Sequence, residues 1–282
     1  MCKLIFENTQ LDASPRPLIE IITDISVSIG LLGKQSEAME KAEIWNEPTL
    51  LLIQKELSGL VEMGRPSSLT FNSSSAYMIQ GACFIEPTDN EEIREKKTRR
   101  LAFRSYHDAF SRITPRQFEF LCGRVIELIG VKNPKVTRSS ADEGIDFYGQ
   151  LSLESIFFPK DLYPTIQKQL SIWIVGQAKH YPKTQSGTSI IRELVGAITL
   201  GRAGAFGSIG SPFDDFRVRV GDPIFALLIT TGSISSNAWR LLKASGIIGI
   251  DGEMLAAFLA DREAGLKDGN FDSLQFLIWI EE

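Results

Sequence analysis

A chain of 282 residues has room for one large α/β domain, or for a core of ~150 to 200 residues beside a smaller module. Hydrophobic residues make up 43% and charged residues 23% of it, which excludes a disordered, collagenous or fibrous chain. The net charge of −5 does not announce a nucleic-acid binder, but net charge averages over faces.

Charge is unevenly spread. Between Arg94 and Arg116, eight Lys and Arg residues oppose only Glu95 and Asp108, whereas from Asp251 onward eight acidic residues oppose Arg262 and Lys267. Glu20 and Asp24 interrupt the most apolar N-terminal stretch, so no run reaches the ~18 apolar residues of a membrane span. Met1 to Phe6 is too short for a secretory signal, and the chain is expected in the cytosol with no membrane partner. Cys2, Cys83 and Cys122 are odd in number and far apart, which suits a reducing compartment. With His107 and His180 as the two histidines and no C-x-x-C, a zinc site lacks ligands, so any metal should be oxygen-ligated.

In chain order, Ile19, Ile22, Ile25, Ile29 and Leu32 recur at helical spacing and predict a helix over 18–32, stopped by Gly33. A second helix is expected to start with Pro48 at its first position and end before Gly64, burying Leu50, Ile53, Leu57, Leu60 and Val61. Strand-like runs at 68–71 and 76–85 flank Asn72-Ser73-Ser74-Ser75, a hairpin signal. Residues 1–88 thus read as an α+β accessory domain, either a winged helix or a module without DNA contact. Asp89 or Asn90 can cap a helix from Glu91 to about Phe110, making 89–113 a connector. Its Arg94, Lys96, Lys97, Arg99, Arg100 and Arg104 spread around the helix. They are either a solvated surface or a strip that neutralises nucleic-acid phosphates.

Residues 114–282 read as the larger domain. Thr114-Pro115-Arg116-Gln117 combines a cap, Pro at the first position and Gln at the third. The helix it starts presents Phe118, Leu121, Cys122, Val125, Leu128 and Ile129 to a core, and Gly130 ends it. Short strands are expected at 135–138 and 145–148, then an insertion through Leu170. Ile172-Trp173-Ile174-Val175 begins a buried central strand. A helix at 190–202, a strand at 224–230, a helix at 235–244, a strand at 247–250 and a helix at 253–261 complete an alternating pattern. This is an α/β core, a central sheet with helices on both faces.

Two segments of that core carry chemistry: Ala141-Asp142-Glu143-Gly144-Ile145-Asp146 and Val175-Gly176-Gln177-Ala178-Lys179. Residues two apart on a strand share a face, so Gln177 and Lys179 point one way and Ala178 the other. If the two strands pair as an antiparallel hairpin, Asp146 sits beside Gln177 on that face. Phosphodiester hydrolysis needs an oxygen-coordinated divalent ion and a cation near the developing charge, and Asp146, Gln177 and Lys179 are suitable groups. Taken singly, each has a plainer role: Asp146 a turn residue, Gln177 a hydrogen-bonded amide, Lys179 a solvated strand tip. Arg192 and Glu193 suggest an ion pair at a helix start, Thr230-Thr231-Gly232 a cap, and Asp251-Gly252 a turn.

The segment from about Thr114 to Asp261 resembles the Mrr-type restriction endonuclease catalytic domain of the PD-(D/E)XK nuclease superfamily. The resemblance is carried by Phe118-Glu119, Asp142-Glu143-Gly144-Ile145-Asp146, Gln177-Ala178-Lys179, Arg192-Glu193-Leu194-Val195-Gly196-Ala197, Thr230-Thr231-Gly232 and Ile250-Asp251-Gly252, in that order. It implies a restriction-endonuclease-like core and cleavage of DNA that depends on magnesium, with manganese as the alternative ion. It also implies Asp146 as metal ligand, Gln177 in place of the usual acidic ligand, Lys179 as catalytic lysine and Glu119 as a supporting carboxylate at the metal. Defence against foreign DNA, assembly as a homodimer or larger homo-oligomer, and an activating ATPase or sensor partner follow as expectations. Glu143 stands where relatives often have glycine, and the insertion from Gln150 to Ser171 is long; both bear on substrate choice. An RNA or branched-DNA nuclease and a catalytically silent DNA-binding module are the alternatives.

Overall fold

A computed structural model describes residues 1–137, 144–151, 171–181, 184–203, 216–267 and 270–282. The chain divides into two compact units, Met1–Phe103 and Arg104–Glu282, with the boundary inside the segment assigned to a connector. No helix among the described residues is long and apolar enough to cross a membrane.

The first unit runs α1 (Cys2–Asn8), β1 (Arg16–Pro17), α2 (Leu18–Ser28), α3 (Gln35–Glu62), β2 (Leu69–Asn72), β3 (Ser75–Gly81) and α4 (Glu91–Arg100). Its three strands form an antiparallel sheet in the order β1-β3-β2. Ile5, Leu18, Ile22, Ile25, Leu50, Ile53, Leu69 and Ile79 fill the core between sheet and helices. Three expectations need correction. The first long helix stops at Ser28, because Gly30 takes a left-handed backbone (φ 69°), and Ile29 is left exposed. The second does not begin at Pro48: α3 starts at Gln35 and carries Pro48 in its interior. Proline there removes the N–H that would bond the Ile44 carbonyl, and it does so on an exposed stretch of the helix, Ile44 being 62% exposed. Val61, placed in the core by spacing alone, is 79% exposed. The third correction concerns the basic helix, which ends at Arg100 instead of continuing to Phe110. Its last turn tightens through Leu101 N–H to Thr98 O and Ala102 N–H to Arg99 O, and a separate helix follows.

Glu86 anchors a polar network in this unit. It accepts hydrogen bonds from the Ser73 hydroxyl and from Gln80 Nε2, and Asp89 accepts from Lys97 Nζ at 2.7 Å. These partners hold both carboxyls below their ordinary range, the Ser73 bond being the larger cause for Glu86 and the Lys97 bond for Asp89.

The second unit contains α5 (Phe103–Ala109, whose first residue lies at the boundary), α6 (Pro115–Ile129), β4 (Val131–Val136), β5 (Phe147–Leu151), β6 (Ile172–Lys179), α7 (Thr188–Arg202), β7 (Ile224–Thr230), α8 (Ser236–Ser245), β8 (Ile248–Ile250), α9 (Gly252–Asp261) and α10 (Ser273–Glu281). The described strands make a five-stranded mixed sheet in sequential order. β4, β5 and β6 pair antiparallel, and β6, β7 and β8 parallel. The α/β core with flanking helices is therefore as expected. Thr114 and Gln117 close a reciprocal capping box on α6. Pro134 is tolerated because β4 is an edge strand with a bulge between Lys132 and Lys135. On one face of the sheet Tyr148, Trp173, Val175, Ala226 and Leu228 pack on Ile191 and Leu194 of α7 and Leu242 of α8. α10 was not foreseen; Arg124 of α6 reaches its Trp279 carbonyl. Tyr106 of α5 is fully buried, lies edge-on to Phe271 and Phe276, and donates to Ala264 O.

Candidate active site

The site forms where β5 begins and β6 ends. Phe147 is registered against Gly176, so the next antiparallel step sets Asp146 opposite Gln177, and Asp146 N–H donates to Gly176 O at 2.9 Å. Alternate residues of β6 direct their backbone groups to opposite neighbours. Ala178 therefore turns its N–H toward β5, which has no strand residue left to meet it. The Asp146 carboxylate takes that place and accepts from Ala178 N–H through Oδ2 at 2.7 Å. A ladder hydrogen bond is thus made by a side chain, and it fixes the carboxylate beside Gln177.

Two glycines make this geometry feasible. A Cβ on Gly176 would lie 2.1 Å from the Phe147 ring, so only glycine lets that ring cross β6 next to Gln177. Gly144, at φ 84°, turns the chain into Asp146 while packed on α7, where a Cβ would stand 3.0 Å from Ala197. Asp142 and Glu143 lie outside the described residues, as do residues 152–170 of the insertion.

Gln177 is 2% exposed, and its Oε1 has no hydrogen-bond partner among the described residues. An amide oxygen buried in this way costs free energy unless something occupies it. Lys179 ends β6 on the same face, with Nζ 4.0 Å from Glu193 Oε2 of α7. The pair expected between Arg192 and Glu193 is replaced by this contact, and Arg192 reaches Thr188 one turn back; β6 passes in front of α7, a nonlocal fact the helix sequence does not contain. His180, on the opposite face, bonds Phe110 O at 2.8 Å and leans on the Phe118 ring, so it holds structure together.

Glu119 projects from the first turns of α6 and pairs with Arg116. The buried Cys122 thiol is pushed well above its ordinary value by burial first and then by the charges of Asp146 and Glu119. Whether the group suits a divalent ion turns on Gln177. Its oxygen, without a partner among the described residues, and the carboxylates of Asp146 and Glu119 are all oxygen donors, the chemistry that magnesium or manganese takes, usually with one or two carboxylates. Among the described residues no group of three or more His, Cys, Asp or Glu is placed to hold a metal ion.

The basic residues fall into different environments. Arg94 is bonded to the carbonyls of Asp89 and Pro87, and Lys97 to Phe84 O and Asp89, so both hold the local chain. Lys96 and Arg104 are exposed, Arg99 and Arg100 half-buried. The Thr230 hydroxyl accepts from Gly232 N–H and Ser235 caps α8. Asp251 does more than turn the chain: it caps α9 by accepting from Met254 N–H.

Residues 110–209 match the family model Mrr_cat, a restriction endonuclease domain of the PD-(D/E)XK nucleases. The match spans Glu119, Asp146, Gln177 and Lys179. Among solved structures, the chain is similar to the MspJI restriction endonuclease in complex with a 27-mer oligonucleotide, at 19% identity and a TM-score of 0.43, over 71% of this chain and 40% of that one. It is also similar to the DNA modification-dependent restriction endonuclease AspBHI, at 14% identity and a TM-score of 0.39, over 74% of this chain and 46% of that one. The chain thus spans less than half the length of either. No curated protein is significantly similar to it.

Proposed function

We propose that this protein is a divalent-metal-dependent DNA endonuclease that hydrolyses phosphodiester bonds, acting in defence against foreign DNA. The observation that carries this is the buried, unpartnered Gln177 Oε1 held beside a carboxylate that the backbone has locked in place. Asp146, Gln177 and Glu119 would hold magnesium or manganese. When bound, such an ion polarises the phosphoryl group and lowers the pKa of water.

The chain's own residues account for the rest. Asp146 is oriented by Ala178 N–H, which fixes the direction of its carboxylate. Lys179 places an ammonium at the strand end, where negative charge grows on the phosphate as the bond breaks. Glu193, at the edge of ion-pair range, limits where that ammonium can swing. Lys96 and Arg104 are exposed cations able to meet the DNA backbone. α3 is a poor candidate for that contact, since Glu37, Glu40, Glu43, Glu47, Glu56 and Glu62 outnumber Lys41 and Lys55.

The deciding experiment is digestion of plasmid, base-modified phage DNA, single strands and RNA, with and without magnesium or manganese, by the parent and by Lys179→Ala. The parent should cut DNA only with metal. Lys179→Ala should cut at least ~10²-fold more slowly while binding DNA equally well. Metal-independent cleavage, or a fully active Lys179→Ala, would overturn the assignment.

A further inference from the structure

We propose that Arg116 is a positioning residue of this site: it clamps the Glu119 carboxylate to Thr137, the residue whose backbone is hydrogen-bonded to that of Asp146. The inference rests on the nuclease reading and adds to it a residue that touches neither metal nor substrate.

Arg116 is the second residue of α6, and its Nη1 is shared between two acceptors, Glu119 Oε2 on its own helix and Thr137 O just past β4. The guanidinium carbon sits 4.4 Å from the centre of the Phe120 ring. Thr137 is 3% exposed. Its N–H donates to Asp146 O at 2.9 Å, and its hydroxyl to Ile145 O at 2.9 Å. A continuous path of hydrogen bonds therefore runs from Glu119 through Arg116 and Thr137 to the backbone of Asp146.

An ordinary ion pair one helical turn apart on a surface swings freely and fixes no geometry. Here the guanidinium is held on three sides, by a carboxylate, a buried main-chain carbonyl and an aromatic face. A planar fork can satisfy all three at once. A lysine ammonium keeps the charge but lacks the flat face and the rigid donor pair.

The consequence is geometric. α6 and β5 are separate elements joined through β4, and nothing in their backbone pairing ties the Glu119 side chain to Asp146. Arg116 makes that tie, so the two carboxylates approach a cation as one preformed set. Misplacing a catalytic group by ~1 Å costs on the order of 10²-fold in rate, which bounds the effect of losing the clamp.

The test combines single-turnover DNA cleavage with calorimetric Mn²⁺ titration on the parent, Arg116→Ala, Arg116→Lys, Glu119→Gln and the Arg116→Ala/Glu119→Gln double variant. Arg116→Ala should slow cleavage ~10- to 100-fold and weaken Mn²⁺ binding by about the factor that Glu119→Gln does. Adding Arg116→Ala to Glu119→Gln should cost nothing further, because one residue acts through the other. Arg116→Lys should recover part of both losses. Should Arg116→Ala fail to fold, Arg116→Lys against the parent carries the comparison, with thermal midpoints confirming the fold.

Multiplying effects in the double variant would mean that Arg116 meets the DNA directly. Unchanged or tighter Mn²⁺ binding by Arg116→Ala would mean that it merely neutralises charge. Either result overturns the clamp while leaving the nuclease assignment intact. A parent that neither binds Mn²⁺ nor cleaves DNA removes the assignment and the clamp together.

Discussion

Asp146 Oδ2 accepts a hydrogen bond from the backbone N–H of Ala178 at 2.7 Å, so the side chain of one strand completes the ladder of the next. The residue between the two halves of the candidate site, Ala178, thereby contributes through its main chain alone.

That bond separates two roles of Asp146. Asp146→Asn keeps an acceptor for Ala178 N–H but removes the charge, so it should fold with near-parental stability and lose Mn²⁺ binding and at least ~10²-fold in cleavage. Asp146→Ala also strands the N–H, and should lose a further ~1–3 kcal/mol of stability. Chemical denaturation of both variants, beside Mn²⁺ calorimetry, reads the two effects apart. Equal metal binding by Asp146→Asn and the parent would make Asp146 a structural turn residue.

Gln177 is neutral where a second carboxylate would crowd the first. Gln177→Glu should tighten Mn²⁺ binding by about tenfold and destabilise the protein without metal, because a buried carboxylate at 177 would face the like charge of the half-buried Asp146. The new carboxyl would have a folded pKa above its unfolded value of ~4.3, so its penalty should appear as pH rises from ~4 to 7 and be absent below. Thermal midpoints with and without Mn²⁺ at pH 4.5 and 7 test this. A metal-free midpoint that does not fall with pH relative to the parent counts against it.

Glu86 and Asp89 have depressed carboxyl pKa values in the first unit, through Ser73 and Lys97 respectively. A depressed folded pKa gives stability that is present above the unfolded pKa and is lost as pH falls through the folded one. Glu86→Gln should lower stability at pH 7 and flatten the loss expected between pH ~5 and 3. Denaturant midpoints across that range, with Lys97→Met as a second probe acting through Asp89, check the sign. An unflattened acid limb in both variants would show that this network does not govern acid sensitivity.

The domain boundary makes a sharp prediction about fragments. A piece beginning at Arg104 keeps Tyr106, whereas one beginning at Phe110 deletes it along with its contacts to Phe271, Phe276 and Ala264 O. The 104–282 fragment should fold alone, and 110–282 should be less stable by ~3–5 kcal/mol, the scale of a large buried aromatic side chain removed. Denaturation of the two fragments side by side decides it. Equal midpoints would mean that α5 is peripheral to the second unit.

Much of the second unit is legible without a structure because its signals are local. The capping box at Thr114, the apolar run Ile172 to Val175 and the alternation of strand and helix each depend on residues within a turn or two of one another. The period-two spacing of Gln177 and Lys179 belongs with them, since strand geometry alone puts these side chains on one face. Less of the first unit reads this way: Pro48 lies within a 28-residue helix, and the basic helix breaks after Arg100, both against local rules. What the tertiary structure decided is which groups meet. Glu193 turns to Lys179 instead of Arg192, Lys97 is drawn to Asp89, and Arg116 reaches across to Thr137. Propensity and periodicity act along the chain. The choice of partner for a long charged side chain depends on strands and loops brought beside it by register, and that information exists only once the sheet has formed.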